Sequence, residues 1–162
     1  MSIISFFKDA GEKLFGKAQA APAQAAADPT AVATANREAA SAIEKYISSL
    51  GLTATALTVT YDGASATAKV FGVAKDQATR EKIILAAGNV HGIAAVDDSM
   101  TVDLSQPQSQ FYTVVKGDTL SKIAKQFYGD ANDYQKIFEA NKPMLTHPDK
   151  IYPGQNLRIP PK

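Results

Sequence analysis

Apolar residues near the start of the chain recur at the spacing of an amphipathic helix. Polar side chains lie mostly between them, so residues 2 to 15 would present one apolar face. We expect this short helix to dock on the domain that follows it. A membrane-surface anchor is the alternative, which is less favoured because basic residues are few. The apolar positions are Ile3, Ile4, Phe6, Phe7, Ala10 and Leu14.

The next part of the chain predicts a helix, two strands, a second helix and a third strand. Apolar residues at helical spacing from 36 to 50 end at Gly51, which favours a left-handed helix C-cap. Alternating apolar residues then flank Asp62-Gly63, a pair typical of a tight hairpin turn. A helix follows from Asp76 to Gly88, and a strand follows from Ile93 to Leu104.

The last third of the chain predicts a second, shorter order of elements. Phe111 to Val115 predicts a strand, and Thr119 begins a helix. Tyr134 to Asn141 predicts a further helix, and Leu157 to Ile159 a closing strand. The order is therefore strand, helix, helix, strand.

These patterns divide the chain into two small domains and give a fold of the α+β class. Residues 17–34 are rich in alanine, which is too small to anchor a core, so we interpret them as a tether. Residues 105–110 are polar and contain proline, as a short linker does. The predicted parts are an N-terminal helix belonging to the first domain at 1–16, the tether at 17–34, the first domain at 35–104, the linker at 105–110 and the second domain at 111–162.

Composition narrows the function classes. The 162 residues carry a formal net charge of +1, which gives no basic excess for phosphate groups, so nucleic acid is not an expected partner. Cysteine is absent, which removes disulfides and thiolate ligands. No segment approaches the ~20 apolar residues of a membrane span, and the N-terminus lacks the features of a secretory signal. We expect a soluble, cytoplasmic monomer.

The residues that could carry catalysis are few. His91 and His147 stand in no spacing that suggests a metal pair or a nucleophile with its base, so we interpret both as surface histidines. Asp97 and Asp98 could hold a divalent cation, but adjacent residues of a strand point to opposite faces and chelate poorly. The chain is therefore expected to be a binding protein and not an enzyme.

The second domain resembles the LysM module over its whole length. The resemblance rests on three segments, at residues 112–129, 137–141 and 151–160. Many LysM modules bind glycans that contain N-acetylglucosamine, in a shallow groove between two turns. By this resemblance, the residues lining the groove would be Asp118, Thr119, Leu120, Ile151 and Tyr152.

The first domain resembles a BON domain at residues 89–98, where a loop leads into the last strand. Segments at 5–14, 87–93 and 139–144 extend the resemblance to a family of small bacterial cytoplasmic potassium-binding proteins that join a BON domain to a LysM domain. The resemblance implies a selective potassium site made of backbone carbonyl oxygens. Carried over by position, the ligands would be the carbonyls of Phe7, Ala10, Glu12, Gly88, Val90 and Ile93.

Such a site is physically reasonable. Potassium is large and weakly hydrated, so neutral carbonyl dipoles can replace its water shell without the strong field of carboxylates. The last turn of a helix leaves four carbonyls without intrahelical partners, and Gly11 and Gly88 each stand where a helix could end. Two helix ends could therefore converge on one cation.

The leading hypothesis is a cytoplasmic potassium sensor or buffer whose BON domain is ordered by the ion. Binding would tie the N-terminal segment to the loop near Gly88 and change how the two domains pack. The alternative is an envelope-associated protein that binds peptidoglycan through LysM, with the BON domain on lipid or another envelope component. A cell-wall hydrolase would need a catalytic domain, for which too few residues remain.

Overall fold

Two hydrophobic cores organise the chain, one in each predicted half. The computed structural model describes residues 2–5, 28–103 and 106–162. We call residues 2–5 and 28–103 the N-terminal unit, and residues 106–162 the C-terminal unit. Both units contain helices and strands, so the predicted α+β class is confirmed. No helix in these ranges is long and apolar enough to cross a membrane.

The N-terminal unit is a four-stranded sheet with two helices packed on it. The strand order is β1-β4-β3-β2, in which β3 and β4 are parallel and the other neighbours are antiparallel. The crossover between the two parallel strands is the second helix, α2. The elements are β1 Ser2–Ser5, α1 Pro29–Ser49, β2 Thr55–Asp62, β3 Thr67–Ala74, α2 Gln77–Gly88 and β4 Ala95–Val102.

The core of this unit lies between the sheet and the two helices, which also pack on each other. Ile43 and Ile47 contribute from α1, and Ile83 and Ile84 from α2, all at most 1% exposed. They meet apolar side chains of the central strands such as Val70. Because helix α1 and the crossover helix both cover the sheet, the loop after α2 is held close to a rigid core.

A bulge in β2 explains one of the glycines. The register between β2 and β3 shifts between Thr55 and Thr58, and Gly72 of β3 lies beside this irregularity with a φ of +139°. A Cβ atom at this position would lie 3.1 Å from the carbonyl oxygen of Thr55. Glycine is therefore required both by its backbone conformation and by the space available.

The N-terminal segment differs from the sequence prediction. The helix predicted over residues 2–15 is wrong for residues 2–5, which form β1 and pair antiparallel with β4. The open edge of β4 offers backbone N–H and C=O groups that a strand can satisfy and a helix cannot. Ile3 and Ile4 are also β-branched, which suits a strand. The remainder of that predicted helix, residues 6–15, lies outside the described residues.

Helix α1 begins inside the stretch that we interpreted as a tether. Its first residue is Pro29, so the tether prediction is wrong for residues 29–34, while residues 17–27 lie outside the described ranges. The Asp28 side chain accepts a hydrogen bond from the Thr30 N–H at 2.9 Å, which caps the helix. Ala31 and Ala33 are too small to anchor a core, but alanine is the best helix former, and Pro29 is well tolerated in the first turn.

The C-terminal unit has the predicted order of strand, helix, helix and strand. Its two strands form an antiparallel pair. Thr119 caps the first helix by accepting a hydrogen bond from the Lys122 N–H at 3.2 Å, and Gly129 ends that helix with a φ of +83°. The elements are β5 Gln110–Thr113, α3 Leu120–Tyr128, a 3-10 turn Ala131–Asp133, α4 Tyr134–Ala140 and β6 Asn156–Ile159.

Candidate functional site

The loop from Gly88 to Ile93 joins the C-terminal end of α2 to β4. Asn89 caps the helix, and its N–H donates to the Leu85 carbonyl at 3.0 Å. Within the described residues, no hydrogen bond reaches the carbonyl of Gly88, the last residue of the helix. This carbonyl stands where the helix dipole concentrates negative character, which favours a cation.

A tight turn completes the loop. The Ile93 N–H donates to the Val90 carbonyl at 3.2 Å, and Gly92 at the third position of the turn has a φ of +90°. A turn of this kind needs a positive φ there, which glycine adopts without strain. The Tyr61 hydroxyl donates to the Gly92 carbonyl at 3.3 Å. The loop is therefore fastened to the sheet from β2.

Tyr61 is well suited to hold the loop. Burial raises the pKa of its hydroxyl, and the nearby Asp62 carboxylate raises it further. The hydroxyl therefore keeps its proton and remains a hydrogen-bond donor at neutral pH.

Three of the predicted ligands lie together on this loop. Gly88 is buried, the Val90 side chain is 7% exposed and the Ile93 side chain is fully buried, so the side chains are used in packing. Only backbone atoms of these three residues can serve a ligand. The other three predicted ligands, Phe7, Ala10 and Glu12, lie outside the described residues.

The register of β1 places its last residue, Ser5, near the end of this loop. β1 runs antiparallel to β4, and Ser5 lies opposite Ala95. Ala95 follows Ile93 by two residues in the sequence. The described part of the N-terminal segment therefore ends beside the start of β4, where the loop also ends.

The acidic pair and the histidines do not form a metal centre. Asp97 and Asp98 have separate partners: Lys69 lies 3.3 Å from Asp97, and Arg80 lies 3.0 Å from Asp98. Both His91 and His147 are exposed, as expected from the sequence. Across the described ranges, no group of three or more histidines, cysteines and carboxylates could hold a metal ion.

The residues predicted to line a glycan groove are largely engaged within the fold. Asp118 accepts hydrogen bonds from the Tyr112 hydroxyl at 2.8 Å and from the Val115 N–H at 2.9 Å. Thr119 caps α3, and Leu120 is only 2% exposed. These three residues therefore have structural roles in the C-terminal unit.

The other wall of the predicted groove faces the N-terminal unit. Ile151 packs against the core of its own unit, and Tyr152 is half-buried. Burial, together with the nearby Tyr152, raises the pKa of Tyr46 in α1 to about 12. Tyr152 is therefore close enough to Tyr46 of α1 to affect the ionisation of its hydroxyl.

Helix α2 packs against strand β6 of the other unit, and Glu81 makes polar contacts across this interface. This residue is 4% exposed. Its carboxylate accepts hydrogen bonds from the Gln77 side chain at 2.8 Å, the Ser109 N–H at 2.8 Å and the Arg158 guanidinium. Burial opposes the charge of Glu81, but these hydrogen bonds outweigh it and lower the pKa of the carboxyl. A buried ion pair therefore joins α2 to β6.

A second contact joins the helix end to the same strand. The Asn89 side chain donates to the Asn156 carbonyl at 3.1 Å and accepts from the Asn156 N–H at 3.0 Å. Two residues further along β6, the Asn141 side chain bonds the Arg158 carbonyl and N–H in the same manner, both at 2.8 Å. Strand β6 is thus paired with β5 on one edge and with two asparagine side chains on the other.

The motifs of the sequence do not show which elements meet at this interface. A signal for it exists in α2, where Ile83 to Ala87 form an unbroken apolar run. Such a run is typical of a helix that is buried on all sides rather than on one face. The sequence gives no indication, however, of which element covers the second face.

In the described part of the chain, the fold and the loop define a two-unit α+β protein whose candidate binding site is formed by backbone atoms. Residues 112–160 match the LysM domain family. The chain is 46% identical over 160 residues to the potassium binding protein Kbp of Escherichia coli O6:H1, covering 99% of each protein. The chain belongs to the family of that protein.

Two uncharacterized proteins match shorter parts of the chain. One, from Deinococcus radiodurans, is 55% identical over 49 residues, which is 30% of this chain and 19% of the relative. The other, YqbP of Bacillus subtilis, is 40% identical over 65 residues, which is 35% of this chain and 30% of the relative.

Proposed function

We propose that this chain is a cytoplasmic potassium-binding protein, acting as a sensor or buffer. The observation that carries the proposal is the 46% identity, across 99% of both chains, with a relative named potassium binding protein. In this proposal, residues 28–103 with the N-terminal segment form a BON domain, which holds the ion through backbone carbonyls.

The geometry of the loop after α2 supports this assignment. The proposed ligands Gly88, Val90 and Ile93 turn their side chains, where they have them, into the core. The Gly88 carbonyl is at the negative end of a helix and has no hydrogen-bond donor within the described residues. Neutral carbonyl dipoles favour a large, weakly hydrated monovalent ion over a divalent one.

The N-terminal segment would complete the coordination shell with the carbonyls of Phe7, Ala10 and Glu12. Phe7 follows Ser5 by two residues, and Ser5 pairs with Ala95 next to the loop. Two extended residues span roughly 7 Å, which is enough to bring a carbonyl of this segment to the loop. The register of β1 therefore supports a site shared between the segment and the loop.

Ion binding at such a shared site would order the domain. A ligand that binds only the ordered form stabilises it by RT ln(1 + [L]/Kd), which is about 2.7 kcal/mol at one hundred times Kd. The signal would then be the conformation of the N-terminal segment and its contacts with the rest of the protein.

Thermal melting in equal concentrations of potassium, sodium and lithium chloride tests the proposal. We expect the highest melting temperature in potassium, because carbonyl dipoles favour a large, weakly hydrated ion. Equal melting temperatures in the three salts, together with no heat of potassium binding in titration calorimetry, would rule out a selective site.

A pair of glycine variants locates the site. Gly92 and Gly117 have the same φ of +90°, the first in the proposed binding loop and the second on a turn of the C-terminal unit. Alanine at either position introduces similar backbone strain. We expect Gly92→Ala to reduce the stabilisation by potassium and Gly117→Ala to preserve it. An equal effect of both variants would place the ion elsewhere.

Glycan binding through the C-terminal unit is a second candidate, favoured by the match of residues 112–160 to the LysM domain family. Against it, Asp118 and Leu120 are engaged inside the unit, and Tyr152 is half-buried. Retention of the full chain on purified peptidoglycan, compared in the presence and absence of potassium, measures this activity directly.

A further inference from the structure

Asn89 occupies an unusual position between the two units. It lies between Gly88 and Val90, whose carbonyls are proposed ligands, yet its side chain is directed away from them to the C-terminal unit. There its amide bonds both the carbonyl and the N–H of Asn156, as a neighbouring strand would. The backbone of Asn89 is thus part of the loop, while its side chain bonds the edge of strand β6 in the other unit.

The partner of Asn89 is firmly held. Asn156 is 2% exposed, and its backbone belongs to β6, which pairs with β5. Its side chain accepts a hydrogen bond from the Thr113 hydroxyl at 2.7 Å. Because Asn156 is fixed from β5, the two bonds with Asn89 constrain the loop more than they constrain the strand.

The ion pair on the same helix strengthens this arrangement. Glu81 precedes Asn89 by about two helical turns and binds Arg158, which is two residues beyond Asn156 on β6. Helix α2 and strand β6 are therefore joined at two points. A rotation of the helix end that redirected the Gly88 carbonyl would also disturb the two bonds between Asn89 and Asn156.

We propose that Asn89 is a positioning residue for potassium, through which the C-terminal unit sets the affinity of a site built in the N-terminal unit. The inference rests on the proposed function. Because the Asn89 side chain bonds Asn156, the loop is already ordered before the ion binds. The entropy cost of ordering the loop is therefore not subtracted from the free energy of ion binding. By linkage, bound potassium must strengthen the contact between Asn89 and Asn156 to the same degree.

Potassium titration calorimetry on the full chain tests the effect on affinity. Asn89→Ala keeps the backbone carbonyls and removes both side-chain bonds, and we expect binding weaker by roughly tenfold, which corresponds to about 1.4 kcal/mol. The matched control is Asn132→Ala, which removes an exposed side chain of the C-terminal unit that bonds Asp130 at 3.1 Å. Affinity of Asn89→Ala within about twofold of this control would overturn the inference.

Hydrogen exchange on the unaltered chain gives a readout that a purely structural role would not move. The Asn156 N–H donates to Asn89 of the other unit, whereas the Arg158 N–H donates to Asn141 of its own unit. Potassium should therefore slow the hydrogen exchange of the Asn156 N–H more than that of the Arg158 N–H. Equal protection of the two amides would contradict the inference even if the Asn89→Ala variant failed to fold.

The two proposals fail in different ways. No potassium binding by the unaltered chain refutes the proposed function. Normal binding by the unaltered chain, together with unchanged affinity in Asn89→Ala and equal protection of the two amides, refutes the role of Asn89 alone.

Discussion

Replacing Glu81 with glutamine removes one charge from the ion pair that joins α2 to β6 while nearly preserving the shape of the side chain. Glu81 is 4% exposed and Arg158 is 8% exposed, so the guanidinium would remain buried without a counter-charge. Removing one partner of such a pair costs about 3–5 kcal/mol. A native chain has only about 5–15 kcal/mol of stability, so the loss is large.

Urea unfolding and thermal melting of Glu81→Gln measure this cost. For a chain of this length we expect the melting temperature to fall by roughly 6–12 °C, from a loss of about 3 kcal/mol at about 2–4 °C per kcal/mol. The control is Glu139→Gln, whose side chain is 61% exposed and lies 2.7 Å from Lys142. An exposed pair contributes about 0–1 kcal/mol.

A loss for Glu81→Gln within about 0.5 kcal/mol of that of Glu139→Gln would refute the reasoning, because burial would then make no difference. The double variant Glu81→Gln with Arg158→Met adds a further check. Since it removes the uncompensated charge, it should recover most of the stability lost in the single variant.

Two further predictions concern pH and packing. The pKa of Glu81 is lowered in the fold, so the stability from its charge is present above the ordinary pKa of 4.5 and is lost as pH falls through the lowered pKa. In urea titrations, the difference in free energy of unfolding between the unaltered chain and Glu81→Gln should therefore narrow from about pH 6 to about pH 3. A constant difference would contradict this. Gly72→Ala should destabilise by about 1–3 kcal/mol, because its Cβ would lie 3.1 Å from the Thr55 carbonyl. Gly51→Ala, with no atom within 4 Å of the added Cβ, should cost less by the same assay, and equal losses would show that the contact is unimportant.

Local patterns predicted most of the elements because those elements depend on local chemistry. Thr119 was the predicted start of a helix and is the cap of α3, and Asp76 caps α2 by accepting from the Thr79 N–H at 2.7 Å. The hairpin at Asp62 also follows from local chemistry, since that carboxylate binds the backbone of the turn. The parallel pairing of β3 with β4 depends on the crossover of α2 and is not visible in periodicity.

The N-terminal strand could not be predicted because its cause is distant in the sequence. Ile3 and Ile4 fit either a helix face or a strand, and the open edge of β4 decides between them. The candidate site has the same property. The loop glycines were identifiable, but the partner of Asn89 is 67 residues away in the sequence.

The side-chain edge of β6 limits how freely these modules can be exchanged between proteins. Asn141 satisfies Arg158 from within the C-terminal unit, but the backbone of Asn156 is satisfied by Asn89 from the other side of the linker. A chimera that joins this LysM domain to an unrelated neighbour would inherit two unpaired backbone groups. A chimera that folds well should therefore carry an asparagine at the matching helix end, or leave space at the interface for water to bond the N–H and carbonyl of Asn156.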